Sequence, residues 1–201
     1  MNNTTPHTDP RILRTRQLIK DAVIELLQEM DIEKISVNRL AERATINRVT
    51  FYLHYRDIPD MLEKMADEMV QDIRQVMNRN PLNLNSTDEE YWKMLVKMLE
   101  HIQDHAKFYK VILTSKQSTV FRDRLLSVIT EMISARLERG ESDSNISTEN
   151  IQKDITIWYG SSALIGTIIA WLRKDMPYTP LFLARQIALL RSQYKNENEN
   201  A

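Results

Sequence analysis

Apolar residues recur along this chain at the three- and four-residue spacing of a helix, and no segment alternates apolar with polar as a half-buried strand would. The repeat is clearest in Ile19, Ala22, Val23, Leu26, Leu27 and Met30, after Ile12, and again in Met61, Leu62, Met65, Met69, Ile73, Val76 and Met77. A third stripe is Tyr91, Trp92, Leu95, Val96, Leu99 and Ile102. Only three glycines and six prolines occur among 201 residues, so little interrupts long helices. The spacing predicts an all-α fold of about nine helices.

Helix-start chemistry divides the pattern. Asp9-Pro10 predicts a cap followed by proline at the first helical position. Ser36 predicts a short second helix carrying Val37, Leu40, Ala41 and Ala44. The turn Thr45-Ile46-Asn47 follows, and Asn47 can cap a third helix from Arg48 to about His54. Asp57 caps a fourth, with Pro59 in its first turn, running to about Met77. Asn78 to Thr87 reads as a connection, and Thr87 with Glu90 as a capping box. Further helices are expected near 106–113, 119–137, 149–173 and 179–194, with a loop at Gly140 to Asn145, a start at Ser147-Thr148-Glu149 and a break at Met176-Pro177-Tyr178. The tail KNENENA is expected to be disordered. The expected division is 1–57, 58–195 and a tail at 196–201.

Cysteine is absent, which excludes a disulfide framework and suits a reducing cytoplasm. Met1 to Pro10 lacks the apolar core of a signal peptide. Ile155 to Leu172 carries no charged residue and touches the lower length limit of a membrane span. Its Thr156, Gly160, Ser161, Ser162, Gly166 and Thr167 fit instead a helix packing closely against a symmetry mate, and no membrane partner is expected.

The net charge of −1 gives no global sign of nucleic-acid binding, so basic residues must be concentrated locally. Arg43 to Arg56 satisfies that condition: Arg43, Arg48 and Arg56 are unaccompanied by any acid. Two short helices joined by a three-residue turn have the dimensions of a helix-turn-helix. Thr50, Tyr52, His54 and Tyr55 add donors suited to phosphate oxygens. Either Val49 or Phe51 can pack inward while Arg48, Thr50 and Tyr52 point outward.

This run resembles the TetR/AcrR family of transcriptional regulators. The family's recognition helix carries a Thr or Ser, an aromatic or leucine, a Tyr, then His or Tyr before an aromatic; here these are Thr50, Phe51, Tyr52, His54 and Tyr55. Val37, Leu40, Ala41 and Ala44 match its second helix, and Asp57 with Asp60-Met61-Leu62 its entry into the fourth. HAKFYKVIL and WLRKDMPYTP are similar to a subgroup that includes regulators of dihydroxyacetone kinase operons. The resemblance implies double-stranded operator DNA as partner, a palindromic site, a homodimer formed by the last two helices (149–173 and 179–194) and a small-molecule effector, most simply in a repressor. It implies phosphate contacts from Thr50, Tyr52 and His54, base contacts from Arg48 and Val49, and mixed contacts from Ser36 and Asn38. Thr45 stands where the family usually has a turn glycine, and Ile58 where it commonly has a lysine.

Met94, Met98, Phe108, Tyr109, Met132, Trp158 and Tyr159 are candidate effector-pocket residues, at a spacing equally that of an ordinary core. His101 and His105 have the spacing of a two-histidine metal pair, with Asp104 as a thin third ligand, so a metal-dependent sensor or enzyme is one alternative. The other is a co-activator that keeps the fold but acts through a partner protein. No glycine-rich phosphate loop or nucleophile–base arrangement is present; neither catalysis nor a cofactor or metal is expected.

Overall fold

The computed structural model of the chain describes residues 9–78, 88–114, 119–138 and 152–196. Among them the backbone forms α1 (Pro10–Glu29), α2 (Val37–Arg43), α3 (Arg48–Tyr52), α4 (Ile58–Asn78), α5 (Asp88–Asp104), α6 (Ala106–Thr114), α7 (Thr119–Glu138), α8 (Lys153–Arg173) and α9 (Pro180–Asn196). A 3-10 turn lies at Ile32–Lys34, and no strand occurs among the described residues. The fold is all-α, as the apolar spacing requires.

The helix starts follow the side-chain chemistry. Asp9 Oδ1 accepts from Arg11 N–H at 2.9 Å, Ser36 Oγ from Arg39 N–H at 3.4 Å, Asn47 Oδ1 from Val49 N–H at 2.8 Å and Asp57 Oδ1 from Asp60 N–H at 2.8 Å. Three ends differ from expectation. The α3 helix closes at Tyr52 rather than His54, because His54 N–H donates to Phe51 O at 3.0 Å in a tightened last turn. The α8 helix opens at Lys153 rather than Glu149, since Gln152 is extended. The α9 helix runs to Asn196 rather than Tyr194, so Lys195 and Asn196 are helical where the sequence predicts a disordered tail. The Thr87–Glu90 box, the Gly140–Asn145 loop, the Ser147-Thr148-Glu149 start and the end of the tail lie outside the described residues.

One apolar core runs through the molecule. Ile19, Val23 and Leu26 of α1, Leu40 of α2 and Phe51 of α3 are sealed from solvent, and the same cluster continues into Met61, Met65, Met69 and Ile73 of α4. From there it passes into Leu95, Met98, Leu99 and Ile102 of α5, Ile112 of α6, Leu125 and Ile129 of α7, and Ile168 and Leu172 of α8. Ile12, at the start of the first stripe, is exposed instead. The α1 helix rests on α6, α4 on α5 and α7, and α8 on α6 and α7. Arg74–Glu131 at 2.7 Å, Arg124–Glu63 at 3.0 Å and Arg124–Asp67 at 3.1 Å also tie α4 to α7. These pairs are solvated and contribute at most about 1 kcal/mol each, so buried apolar surface holds the helices together.

By length and composition α8 could cross a membrane, yet one face of it packs on α6 and α7 through Leu164, Ile168, Trp171 and Leu172. Gly160 permits that approach: a Cβ there would stand 3.2 Å from Ile133 Cδ1. The chain turns into α9 through Asp175 and Met176, both left-handed, with φ of 55° and 53°. Trp171 Nε1–H donates to Tyr178 O at 2.9 Å across this turn, and Thr179 Oγ1 accepts from Phe182 N–H at 3.2 Å.

Candidate nucleic-acid interface

Between α2 and α3 the chain reverses over Thr45, whose φ is 55°. Its N–H donates to Glu42 O at 3.1 Å and the next one, Ile46 N–H, to Ala41 O at 2.9 Å, so the turn is tied back onto α2. A β-branched residue in the left-handed region is strained where glycine would not be. Thr45→Gly should therefore raise the stability of the protein by about 1 kcal/mol, read as a higher urea midpoint at unchanged slope. An unchanged or lowered midpoint would show that the strain is relieved elsewhere.

Phe51 roots α3. It is sealed from solvent, packs edge-on against Tyr52 at 5.5 Å and lies tilted against Tyr55 at 5.6 Å between ring centroids. With Phe51 inward, Val49 faces out, which decides the choice left open by the sequence. Ser36, Asn38, Arg48 and Tyr52 are exposed beside it, and Thr50 and His54 are half-buried. Arg48 Nη2 donates to Tyr52 Oη at 3.1 Å, and its guanidinium stands 5.4 Å from that ring's centroid. This contact holds a long, mobile side chain in a defined position on the outer face.

Tyr55 is a correction. It is only 3 % exposed, packed between Phe51 and α4, and burial pushes its phenol up to about 12. It supports α3 from within and does not reach the outer face. Arg43 is another correction, because Glu29 engages it through two contacts of 2.8 Å, with Glu25 at 3.4 Å. Its charge is spent on α1, so the local excess of arginine is smaller in space than in sequence. Arg56 lies near Asp57 at 3.4 Å but stays highly exposed. Ile58 is half-buried against the core, and the lysine nearest in sequence on α4, Lys64, binds Asp60 Oδ2 at 2.9 Å and His54 O at 3.3 Å.

Of the candidate effector residues, Met94, Met98, Phe108, Tyr109 and Met132 are buried in the common core. Trp158 and Tyr159 are not with them: they lie 63 % and 66 % exposed on the outer face of α8. A separate groove of about 360 Å³ runs between α1 and α4, lined by Arg16, Lys20, Tyr55, Met65, Glu68 and Asp72 among others. The helical periodicity of α1 and α4 gave no signal for it.

His101 and His105 stack at 4.5 Å between ring centroids, and His105 Nδ1 lies 2.9 Å from His101 O. Among the described residues no three His, Cys, Asp or Glu side chains come together to hold a metal. Burial holds the His101 imidazole below its ordinary 6.5, helped by His105 and Lys20 and opposed by Asp72 and Asp104. His54 is lowered by burial and by Arg16. Both rings take up protons more readily unfolded than folded, so their contribution is present above pH 6.5 and lost as pH falls below it. Thermal stability should drop on acidification from pH 7.5 to 5.5, with a shallower slope in His101→Gln. An identical slope in that variant would show that His101 does not contribute to the acid sensitivity.

A family model describing the C-terminal region of TetR-type transcriptional regulators matches residues 89–193 of the 201. The chain is 22 % identical over 186 residues to YxbF of Bacillus subtilis, an HTH-type transcriptional regulator, covering 87 % of this chain but only 44 % of that longer protein. A TetR transcriptional regulator of Streptococcus agalactiae is 25 % identical, with a TM-score of 0.66 over 89 % of this chain and 93 % of that one. The dihydroxyacetone kinase operon activator DhaS shares the fold at 20 % identity, with a TM-score of 0.59 over 90 % of this chain and 96 % of its own. The family match takes in the part of the chain whose residues are least telling one by one, and so complements the helix-turn-helix. The protein belongs to the TetR family of transcriptional regulators.

Proposed function

We propose that this chain is a homodimeric repressor that binds a palindromic operator through α3 and is released by a small molecule held in its C-terminal part. The observation that carries the reading is the build of α3: Phe51 is its buried residue, while Arg48, Val49 and Tyr52 are left on the outer face. In this reading residues 1–57 form the DNA-binding part and 58–195 the effector and dimerisation part. Arg48 reaches a guanine edge, with Val49 beside it. Tyr52, Thr50, Ser36 and Asn38 position the helix on the phosphates, and His54, neutral and half-buried, contributes at the rim.

The dimer is supported by a second observation. Ile155, Trp158 and Tyr159 on α8 and Leu181, Phe182, Leu189 and Leu190 on α9 are all about half exposed or more in the single chain. A subunit rarely leaves so many large apolar side chains on two neighbouring elements of the sequence in water. Pairing α8 and α9 with their symmetry mates would bury them, and a two-fold dimer then calls for an inverted-repeat operator read in the cytoplasm. The effector would enter among Met94, Met98, Phe108, Tyr109 and Met132 and bias α4, which spans from the helix-turn-helix to this core.

Arg48→Ala should weaken operator binding by about 1–3 kcal/mol and relax preference at one base pair per half-site. Gel-shift titration against operators changed at each position checks this. Equal loss at every position would reduce Arg48 to a phosphate contact, and absence of any specific binding by the wild-type protein would favour a co-activator working through a partner protein.

A further inference from the structure

Leu53, just past the end of α3, is 77 % exposed, more than any other large apolar side chain among the described residues. Val49, one turn earlier on the same side, is 66 % exposed. Neither is part of the apolar core, whose α3 member is Phe51. The two form an apolar row beside the row of Arg48 and Tyr52, which are joined by the 3.1 Å hydrogen bond. A valine and a leucine have no donor or acceptor, so they cannot read the hydrogen-bonding edge of any base. On the floor of the major groove the one apolar feature is the C5-methyl group of thymine.

Resting on the proposed placement of α3 in the major groove, we propose that Val49 and Leu53 read two thymine methyl groups beside the guanine taken by Arg48. Residues four apart on a helix are separated by about 6 Å along its axis. Base pairs rise by about 3.4 Å, so the two methyl groups belong to base pairs one or two steps apart. The polar row then fixes one base by hydrogen bonding, while the apolar row selects its neighbours by methyl contact. Leu53 is accordingly a specificity-determining residue that the helix-turn-helix pattern did not single out.

Replacing thymine by uracil removes that methyl group and leaves base pairing and charge intact. Duplexes selected by the full-length protein from a random-sequence library, then substituted at single thymines, provide the probe. We expect two thymines per half-site at which uracil weakens binding, each by roughly fourfold, the worth of one buried methyl group. Leu53→Ala should abolish the uracil effect at one of them and Val49→Ala at the other, with thermal unfolding unchanged because both side chains are exposed. Specific binding that tolerates uracil at every thymine would overturn the methyl reading alone. A uracil effect that persists in both alanine variants would overturn the assignment to these residues. Failure to select any sequence over random duplex would overturn the DNA-binding reading and this inference with it.

Discussion

Gly166→Arg combined with Phe182→Glu should yield a folded monomer whose operator affinity has dropped by about 10²–10⁴-fold. Gly166 lies on the outward face of α8, and a Cβ there would meet nothing within 4 Å. The subunit has room for the arginine, and replacing a helical glycine even favours the helix. Phe182 is 45 % exposed and stacks on Tyr178 at 5.2 Å, so a carboxylate there reaches water in the monomer. In a dimer closed through α8 and α9 both substitutions would fall in the interface, where unpaired charges are costly. Losing the dimer removes the intramolecular second contact, and each reading helix then binds its half-site alone. Light scattering gives the mass, circular dichroism the helix content and gel shift the affinity. A variant that stays dimeric, with operator binding intact, would place the interface elsewhere.

Phe51→Ala should destabilise the protein by about 3–5 kcal/mol and abolish DNA binding near physiological temperature. The ring is sealed from solvent at the centre of the small three-helix cluster and touches both Tyr52 and Tyr55. Because α3 is a short helix held mainly by this side chain, the cavity left behind would uncouple it from α1 and α2. The same core is continuous with that of α4, so the loss should appear in global urea unfolding as well as in DNA binding. Phe51→Leu, which keeps much of the volume, should cost far less and keep binding. A cost below about 1 kcal/mol for alanine would mean that the hydrogen-bonded turn at Thr45, rather than the aromatic root, sets the position of α3.

What could be read from the sequence was what depends on neighbours along the chain. Asp9, Ser36, Asn47 and Asp57 each cap the helix they precede, because a short polar side chain reaches an N–H two or three residues ahead. The outward placement of Arg48 and Tyr52 followed from helical spacing in the same way. What was not legible depended on partners distant in sequence. Arg43 counted toward the basic face, yet its partner Glu29 lies on α1, and only the packing of α2 on α1 brings them together. Tyr55 carries a hydroxyl suited to phosphate, yet it falls on the buried side of the loop after α3. Trp158 and Tyr159 look like pocket or core residues by composition, and the single chain leaves them in solvent because the face that α8 turns to α6 and α7 is the other one. At Thr45 the left-handed turn that glycine usually serves is kept and the residue is strained to fit it.

The proposed function stands or falls on whether α3 reads a specific operator as one half of a two-fold pair. The most direct test is binding of the purified protein to the promoter region of its own gene, titrated with salt and set against random duplex. We expect one dimer per inverted repeat, affinity that falls steeply as salt rises, and a preference over random DNA of at least about 10³-fold. Equal affinity for promoter and random duplex at low salt would contradict the proposed function.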